Sequence, residues 1–304
     1  MAASMDPISI GAPAKVNFCL KIAGRRPDGY HDLVTLMHKV ELRDLLHLRR
    51  CRAPGVRLTC PDSDLPLDAG NLAFRAARAF LDRLGGPAVG IEIVLEKRIP
   101  VAAGLGGGSS DAAAVLIGLD RLLDTGLSSD ILFDLARPLG ADVPFFVVPD
   151  QAAWATSIGD RLTPVAPLEE GWIVLANPGF PVSTRWVYEN FALTRSGNPY
   201  ILARGREMAE RAGSGGALRR DAWQVKDVAS LGNDLESVTI ARFPEIGAIK
   251  RTMMAGGAVC ALMSGSGPTV FGFFTHQDGA VRCVDALTRQ YGHNVFLVRP
   301  CRAV

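Results

Sequence analysis

The stretch that decides the fold is Pro100-Val101-Ala102-Ala103-Gly104-Leu105-Gly106-Gly107-Gly108-Ser109-Ser110-Asp111. Its glycines leave backbone amides free of side-chain crowding, and apolar residues recur at helical spacing from Ala112 to Leu123. The loop therefore opens a helix, whose N-terminus carries a partial positive charge that suits an anion. This predicts a phosphate site, although a glycine cluster taken alone is about as typical of a flexible turn.

Two familiar phosphate fingerprints are absent from this stretch. No Gly-Lys-Ser or Gly-Lys-Thr closes a Walker loop, and Ser109 stands where the dinucleotide fingerprint requires glycine. The loop belongs to a third type.

Regular elements are predicted on both sides of the loop. Leu72 to Leu84 has helical periodicity and stops at Gly85-Gly86-Pro87, and the alternation from Ile91 to Leu95 predicts a strand that ends at Pro100. A further strand is predicted from Lys15 to Ile22, with Lys15 and Asn17 on one face. Trp172 to Ala176 is also strand-like.

Chain length and composition limit the domain organisation. The 304 residues are 48% hydrophobic, enough for one large domain or two moderate ones. The stretch 163–171 reads as a loop with Pro164 and Pro167, so we expect one lobe over residues 1–166 and another over 167–304. Residues 194–216 are polar, and 212–216 are predicted to form a flexible surface turn.

Charge and cysteine usage exclude several classes of protein. The balance of 33 Lys and Arg against 31 Asp and Glu argues against a nucleic-acid surface. The six cysteines have no CxxC spacing, unlike a disulfide or zinc framework. No targeting segment or bilayer-length apolar run is visible. We expect a cytoplasmic protein with no membrane or nucleic-acid partner.

The glycine-rich stretch resembles the central phosphate-loop motif of the GHMP kinase superfamily. Ala12-Pro-Ala-Lys-Val-Asn17 and Met263-Ser-Gly-Ser-Gly-Pro-Thr-Val-Phe-Gly272 resemble the flanking motifs of the same superfamily, in the same order. The resemblance implies an α+β, two-lobed GHMP kinase fold, with an N-terminal lobe like ribosomal protein S5 and a C-terminal ferredoxin-like α/β lobe. It also implies an ATP-dependent small-molecule kinase.

Three segments are similar to one branch of that superfamily: Lys15-Val-Asn17, Gly24-Arg-Arg-Pro-Asp-Gly-Tyr-His31 and Leu139-Gly-Ala-Asp-Val-Pro-Phe145. Members of this branch phosphorylate the 2-hydroxyl of a cytidine diphosphate ester of methylerythritol, in the non-mevalonate pathway of isoprenoid biosynthesis. The resemblance therefore implies this small molecule as the acceptor and ATP as the donor. We also expect Mg²⁺, because ATP chemistry almost always uses a divalent ion to screen phosphate charge.

The same resemblance implies the catalytic residues. Asp142, at a predicted helix-to-strand junction, would be the general base, and Lys15 would stabilise charge on the transferred phosphate. From the residues alone, Asp142 is a loop or capping aspartate and Lys15 a solvated strand lysine.

The implied nucleotide site has three parts. The Ser264-Gly-Ser-Gly267 loop would close against the phosphates, although a hairpin turn is the plain alternative. Ser110 could place its hydroxyl on a phosphate or on Mg²⁺, and Ser109 and Asp111 could cap the helix. Asn71 and Lys97 are implied near the adenosine, with helix capping and strand ending as ordinary explanations. The ATP-site residues are Pro100, Val101, Ala102, Ala103, Gly104, Leu105, Gly106, Gly107, Gly108, Ser109, Ser110, Asn71 and Lys97.

The implied acceptor site consists of Asn17, Tyr30, His31 and Tyr188. His31 can hydrogen-bond a cytosine edge, and an aromatic ring can stack on the base. Trp186 competes with Tyr188 for the stacking role.

Three other functions are alternatives to the kinase function that the resemblance implies. Another GHMP kinase, acting on homoserine or a mevalonate-like acid, would use the same loop. A non-catalytic sensor would be expected to have lost Lys15 or Asp142, and an RNA-binding module would show a basic stripe with aromatics. We expect a monomer or a weak homodimer.

Overall fold

The computed structural model describes residues 7–61, 63–86, 89–191 and 231–302. By its internal packing the chain forms two compact units. Unit 1 contains the chain up to Ala14, Leu42–Ile99 and Gly106–Pro149, and unit 2 contains Lys15–Glu41, Pro100–Leu105 and the chain from Asp150 onward. The predicted boundary at residue 166 between two lobes stays a prediction.

Two long strands run through both units. Strand β1 spans Ile8–Arg25 and strand β2 spans His31–Cys51, and the two pair with each other. The predicted strand from Lys15 to Ile22 is confirmed as the middle of β1. Lys15 and Asn17 are buried there among Val16, Phe18 and Cys19.

Unit 1 combines strands with a group of helices. Strand β3 (Gly55–Thr59) runs parallel to β4 (Gly90–Glu96), and β4 pairs antiparallel with the second half of β2. Helix α1 (Leu72–Arg83) packs on α2 (Gly107–Leu123), followed by α3 (Ser129–Ala136) and α4 (Val143–Val147). The predictions of a helix from Leu72, a strand ending before Pro100 and a helix opened by the glycine-rich loop are confirmed.

Unit 2 contains a second sheet with a strand order that differs from the chain order. Strands β5 (Ala152–Thr156) and β6 (Arg161–Val165) pair antiparallel, and β5 pairs with the first half of β2. Strands β7 (Trp172–Ala176), β8 (Cys260–Met263), β9 (Val270–Phe274) and β10 (Val295–Val298) form an antiparallel sheet in the order β10-β7-β9-β8. The predicted strand at Trp172–Ala176 is confirmed as β7.

Helices of unit 2 pack on the β7–β10 sheet and form a hydrophobic core with it. Those in the described part of the chain are α5 (Thr184–Asn190), α6 (Glu236–Arg242), α7 (Pro244–Ala255) and α8 (Gln277–Tyr291). Ile246 and Met253 of α7 and Cys283 of α8 share one buried cluster with Val270 and Phe274 of β9. Burial of this apolar surface is the main force that holds the layer together.

The structure differs from the sequence prediction in the segment after β5. The prediction of a loop over 163–171 is wrong at its start, because residues up to Val165 belong to β6. Pro164 is tolerated there because, among the described strands, β6 is an edge strand that pairs with β5 alone. The predicted surface turn at 212–216 lies outside the described residues. All six cysteines are free thiols. In the described ranges, no helix has both the length and the apolar character needed to cross a bilayer.

Candidate active site

The glycine-rich loop enters helix α2 through left-handed backbone conformations. Gly104 and Gly106 have φ of 77° and 72°, and Gly106 is the N-cap of α2 without any side-chain capping bond. A helix has no internal acceptors for its first-turn N–H groups, and here no side chain replaces them. The N-terminus of α2 is therefore built for an anionic ligand, and neither Ser109 nor Asp111 caps it.

Gly104 is required by a close approach as well as by its φ. A Cβ at this position would lie 2.1 Å from the carbonyl oxygen of Ser264 and 3.0 Å from that of Gly267. The hydroxyl of Ser264 also donates to the Gly104 carbonyl at 2.9 Å. The sequence Ser264–Gly267, which we call the third-motif loop, thus packs directly on Gly104.

The third-motif loop connects β8 and β9, which pair antiparallel through Met263 and Val270. The plain hairpin interpretation is therefore correct for its topology. The same hairpin turn also lies against Gly104 of the glycine-rich loop. The Ser264 N–H donates to the Thr269 carbonyl and the Gly267 N–H donates to the Ser264 carbonyl, both at 2.9 Å.

Lys15 is buried, with 4% of its surface exposed, so the solvated-lysine interpretation is wrong. Its ammonium donates to Asn17 Oδ1 at 2.6 Å and to the Gly104 carbonyl at 3.2 Å. Asn17 Nδ2 donates to Thr35 Oγ1 at 2.8 Å, and Thr35 donates to the Cys19 carbonyl at 2.6 Å. This chain of bonds fixes the Lys15 ammonium beside the glycine-rich loop.

Asp142 lies in unit 1 and is the N-cap residue of α4, yet its side chain makes no capping bond. The capping interpretation is thus wrong for its carboxylate. The predicted helix-to-strand junction is also wrong, because the turn after α3 leads into α4, a short helix with Pro144 in its first turn.

Ser110 and Asp111 lie near the start of α2. Ser110 is 1% exposed, and its hydroxyl oxygen has no hydrogen-bond partner among the described residues, nor has Asp111 Oδ1. An unpaired buried hydroxyl is costly unless a ligand satisfies it. Ser110 therefore has an oxygen to offer to a phosphate-bound ion. Within the same ranges, no three His, Cys, Asp or Glu side chains gather as a metal-binding group.

Lys97 forms ion pairs with two buried carboxylates. Its ammonium pairs with Asp44 and, at 2.7 Å, with Asp111. Burial works against the charged form of Lys97, but the charges of Asp111 and Asp44 outweigh it and raise the pKa of Lys97. Burial, aided by the charge of Asp44 and opposed by Lys97, raises the pKa of Asp111 to about 7. The cluster ties the segment after β4 to the N-terminal part of α2.

Asn71 also has a structural task. It is the N-cap of α1, where Oδ1 accepts from the Ala73 N–H at 2.9 Å and Nδ2 donates to the Pro66 carbonyl at 3.0 Å. The capping explanation holds, and a contact of Asn71 or Lys97 with adenosine stays a prediction.

The proposed acceptor residues are only partly brought together. The rings of His31 and Tyr188 lie 5.4 Å apart at 37°, and burial, with the charge of Arg25, lowers the pKa of His31. Trp186 instead packs edge-on against Phe243 at 6.3 Å. Tyr30 is 63% exposed. The geometry favours Tyr188 over Trp186 as the stacking ring.

Two buried residues of these networks were missed from the sequence. Asp44 shares the inward face of β2 with Leu46 and Leu48, and a lone carboxylate on an apolar face is a signal for a buried ion pair. Asn233 donates to two carbonyls of β8 and the third-motif loop, and no sequence signal pointed to it.

Comparisons with known proteins identify the family of this chain. Residues 71–149 match the model of the GHMP kinases N terminal domain, and residues 209–294 match that of the GHMP kinases C terminal. A 4-diphosphocytidyl-2-C-methyl-D-erythritol kinase from Syntrophotalea carbinolica is 46% identical over 95% of this chain and 97% of its own. The chain belongs to the 4-diphosphocytidyl-2-C-methyl-D-erythritol kinase family of GHMP kinases.

Other members and neighbours of this kinase family extend the match. The relative from Pelobacter propionicus is 47% identical over 91% of this chain and 92% of its own. A crystal structure of 4-(cytidine 5'-diphospho)-2C-methyl-D-erythritol kinase superposes with a TM-score of 0.75 at 36% identity, covering 96% of this chain and 98% of that one. A homoserine kinase from Cytophaga hutchinsonii, at 21% identity and a TM-score of 0.70 over 99% of this chain and 96% of its own, shares the fold. The protein is therefore an ATP-dependent small-molecule kinase with the GHMP fold.

Proposed function

We propose that this kinase transfers the γ-phosphoryl group of ATP to the 2-hydroxyl of 4-diphosphocytidyl-2-C-methyl-D-erythritol, in the non-mevalonate pathway of isoprenoid biosynthesis. The observation that carries the choice of acceptor is the nearly full-length similarity to kinases named for it. The pairing of His31 with Tyr188 supports it, because a hydrogen-bonding ring beside an aromatic face suits a pyrimidine base.

Phosphoryl transfer requires the two reactants to be held in line and the developing charge to be neutralised. The N–H groups at the start of α2 and in the glycine-rich loop, residues 100–110, would hold the triphosphate. Asn71 and Lys97 are assigned to the adenosine side, and Asn17, Tyr30, His31 and Tyr188 to the acceptor.

The step itself is a single displacement. As the acceptor 2-oxygen bonds to the γ-phosphorus, the bond from that phosphorus to the β-γ bridging oxygen breaks and ADP leaves. Asp142 would take the proton of the 2-hydroxyl, and its carboxylate is not used as a cap. The Lys15 ammonium would stabilise charge on the transferred group from its place beside Gly104.

Magnesium fits the residues around Ser110. Its buried hydroxyl oxygen has no partner in the described ranges, and Mg²⁺ is commonly bound by one or two protein oxygens together with substrate phosphates. Ser110 would hold the ion, which neutralises phosphate charge when bound.

The test is an ADP-release assay with Mg-ATP and each of four acceptors in turn: the cytidine diphosphate ester, homoserine, mevalonate and galactose. We expect turnover with the first alone. Turnover of homoserine or mevalonate in its place would assign the chain to the rival kinase function. ATP binding without turnover of any acceptor would favour a sensor.

A further inference from the structure

Asn233 lies just before α6 in unit 2 and is 6% exposed. Its Nδ2 donates to the Met263 carbonyl at 2.8 Å and to the Gly265 carbonyl at 2.7 Å, while its Oδ1 accepts from the Leu235 N–H at 2.9 Å. Both N–H bonds of the amide are thereby used on one short stretch of backbone. The side chain cannot rotate without losing all three bonds.

The bond to the Gly265 carbonyl also fixes the direction of the adjacent Ser266 N–H. The C=O of Gly265 and the N–H of Ser266 belong to the same trans peptide plane, where the two groups point in opposite directions. By holding the carbonyl, Asn233 directs the Ser266 N–H to the other side of the third-motif loop.

Two backbone N–H groups of the third-motif loop, those of Gly265 and Ser266, have no hydrogen-bond acceptor among the described residues. Both residues are nevertheless buried. Buried N–H groups are nearly always paired, with a ligand where the protein supplies nothing. Gly265 has φ of 56°, and successive N–H groups in such a turn form an anion-binding concavity.

The anion that fits this position is a phosphate of ATP. The third-motif loop is bonded to Gly104 of the glycine-rich loop through the Ser264 hydroxyl. The third-motif loop and residues 100–105 of the glycine-rich loop are therefore in direct contact within unit 2.

We propose that Asn233 is a positioning residue for phosphoryl transfer, which holds the third-motif loop with the Ser266 N–H turned toward the phosphates of ATP. The inference rests on the placement of ATP in the proposed function. Asn233 itself touches neither substrate.

The neighbouring residue offers a matched control. Asp234 pairs with Lys21 at 2.7 Å and accepts from the Ile22 N–H at 3.0 Å, so it anchors the same segment to β1 without touching the third-motif loop. A merely structural role for Asn233 predicts that substitutions at 233 and 234 behave alike.

The experiment compares Asn233→Asp with Asp234→Asn. The first keeps the size of the side chain and its acceptor for Leu235 but loses both donations and faces two carbonyls with a carboxylate. We expect its Kd for ATP to rise at least about tenfold, equivalent to about 1.4 kcal/mol, with the Kd for adenosine and the acceptor KM within about twofold of wild type. Asp234→Asn should lower the melting temperature and leave the Kd for ATP unchanged.

Three results would overturn the proposal: wild-type ATP affinity in folded Asn233→Asp, an equal loss of adenosine affinity, or equal weakening of ATP binding by Asp234→Asn. If Asn233→Asp does not fold, Asn233→Ala is titrated in its place against the same predictions. If neither folds, amide NMR of the wild type decides, since inorganic triphosphate should shift the Gly265 and Ser266 signals and leave the Asn233 side-chain amide in place.

These binding measurements do not depend on the identity of the acceptor. A wild-type protein that fails to phosphorylate the cytidine diphosphate ester would end the proposed function, while the comparison of ATP with adenosine would still test Asn233.

Discussion

The N–H of Leu168 donates a hydrogen bond of 2.9 Å to Nε2 of His38, while Nδ1 of the same fully buried ring lies 2.7 Å from the carbonyl oxygen of Lys39. The first bond needs a lone pair on Nε2, and the second needs a proton on Nδ1. The ring is thus held as one neutral tautomer. Burial lowers the pKa of His38 from 6.5 to about 4.

This geometry makes stability depend on pH. Between pH 6.5 and about 4 the unfolded His38 binds a proton and the folded one does not, so its contribution to the free energy of unfolding falls as the pH falls. The full loss is about 3 kcal/mol. Urea unfolding at pH 7 and pH 4.5 should show a smaller decrease for His38→Gln than for the wild type. An equal decrease in both proteins would contradict the neutral tautomer.

Gly104→Ala should destabilise the protein and abolish activity. The new Cβ would meet the Ser264 carbonyl oxygen at 2.1 Å, and the residue would keep a left-handed φ. Overpacking and strain of this kind cost on the order of 3 kcal/mol. Thermal unfolding measures the loss. Gly108→Ala is the control for stability, because its Cβ has ordinary contact with Leu72 at 3.7 Å and no left-handed φ. Equal melting temperatures for the two variants would refute the argument.

Lys97→Met should destabilise unit 1 strongly. It would leave Asp44 and Asp111 buried together without their cation, and removing one partner of a buried ion pair costs about 3–5 kcal/mol. The double variant Lys97→Met/Asp111→Asn should recover part of the loss, since one buried negative charge is then removed. Chemical denaturation of both variants measures their relative stability. A double variant less stable than Lys97→Met would contradict this prediction.

Asp142→Asn should reduce kcat by about a hundredfold or more and change the Kd for ATP little. General base catalysis contributes factors of this size, and in the proposed mechanism the triphosphate is held by backbone N–H groups. Single-turnover ADP formation and nucleotide titration separate the two effects. Loss of ATP affinity in parallel with kcat would remove Asp142 from the role of base.

Tyr188→Ala should raise the KM for the cytidine ester by about tenfold or more, because stacking on a base is worth about 1–3 kcal/mol. Trp186→Ala is the matched variant, since this ring packs on Phe243. It should lower the melting temperature and affect that KM less. The reverse pattern would give the stacking role to Trp186.

Much of the fold follows from local sequence. Helix α1 was predicted within one residue of its observed bounds because its periodicity is strong and Gly85-Gly86-Pro87 ends it. Strand β1 is much longer than predicted, since Gly11 and Pro13 obscure its alternation, and β6 was missed because it contains Pro164. Both strands are fixed by hydrogen bonding to a neighbouring strand, β2 for β1 and β5 for β6, and the residue pattern of a strand alone does not encode that pairing.

The residues of the candidate site also fall into those that local sequence predicts and those that it does not. The loops at Gly104 and Ser264 carry their chemistry in glycine and serine, so their motifs could be recognised. Asn233 and Asp44 act through partners 30 or more positions away. A single asparagine has no local pattern that indicates such a bond, and the apolar face around Asp44 signals a buried pair without indicating which residue is its partner. The burial of Lys15 also depends on tertiary contacts, with Gly104 89 positions away.

The chain passes between its two compact units at residues 14, 41, 99, 105 and 149. Unit 2 is therefore assembled from three separate stretches of the gene, and one of them is the short insert Pro100–Leu105. No single recombination event can transplant such a unit from one kinase to another. A change of acceptor in this family is thus expected to arise through point substitutions on an inherited scaffold.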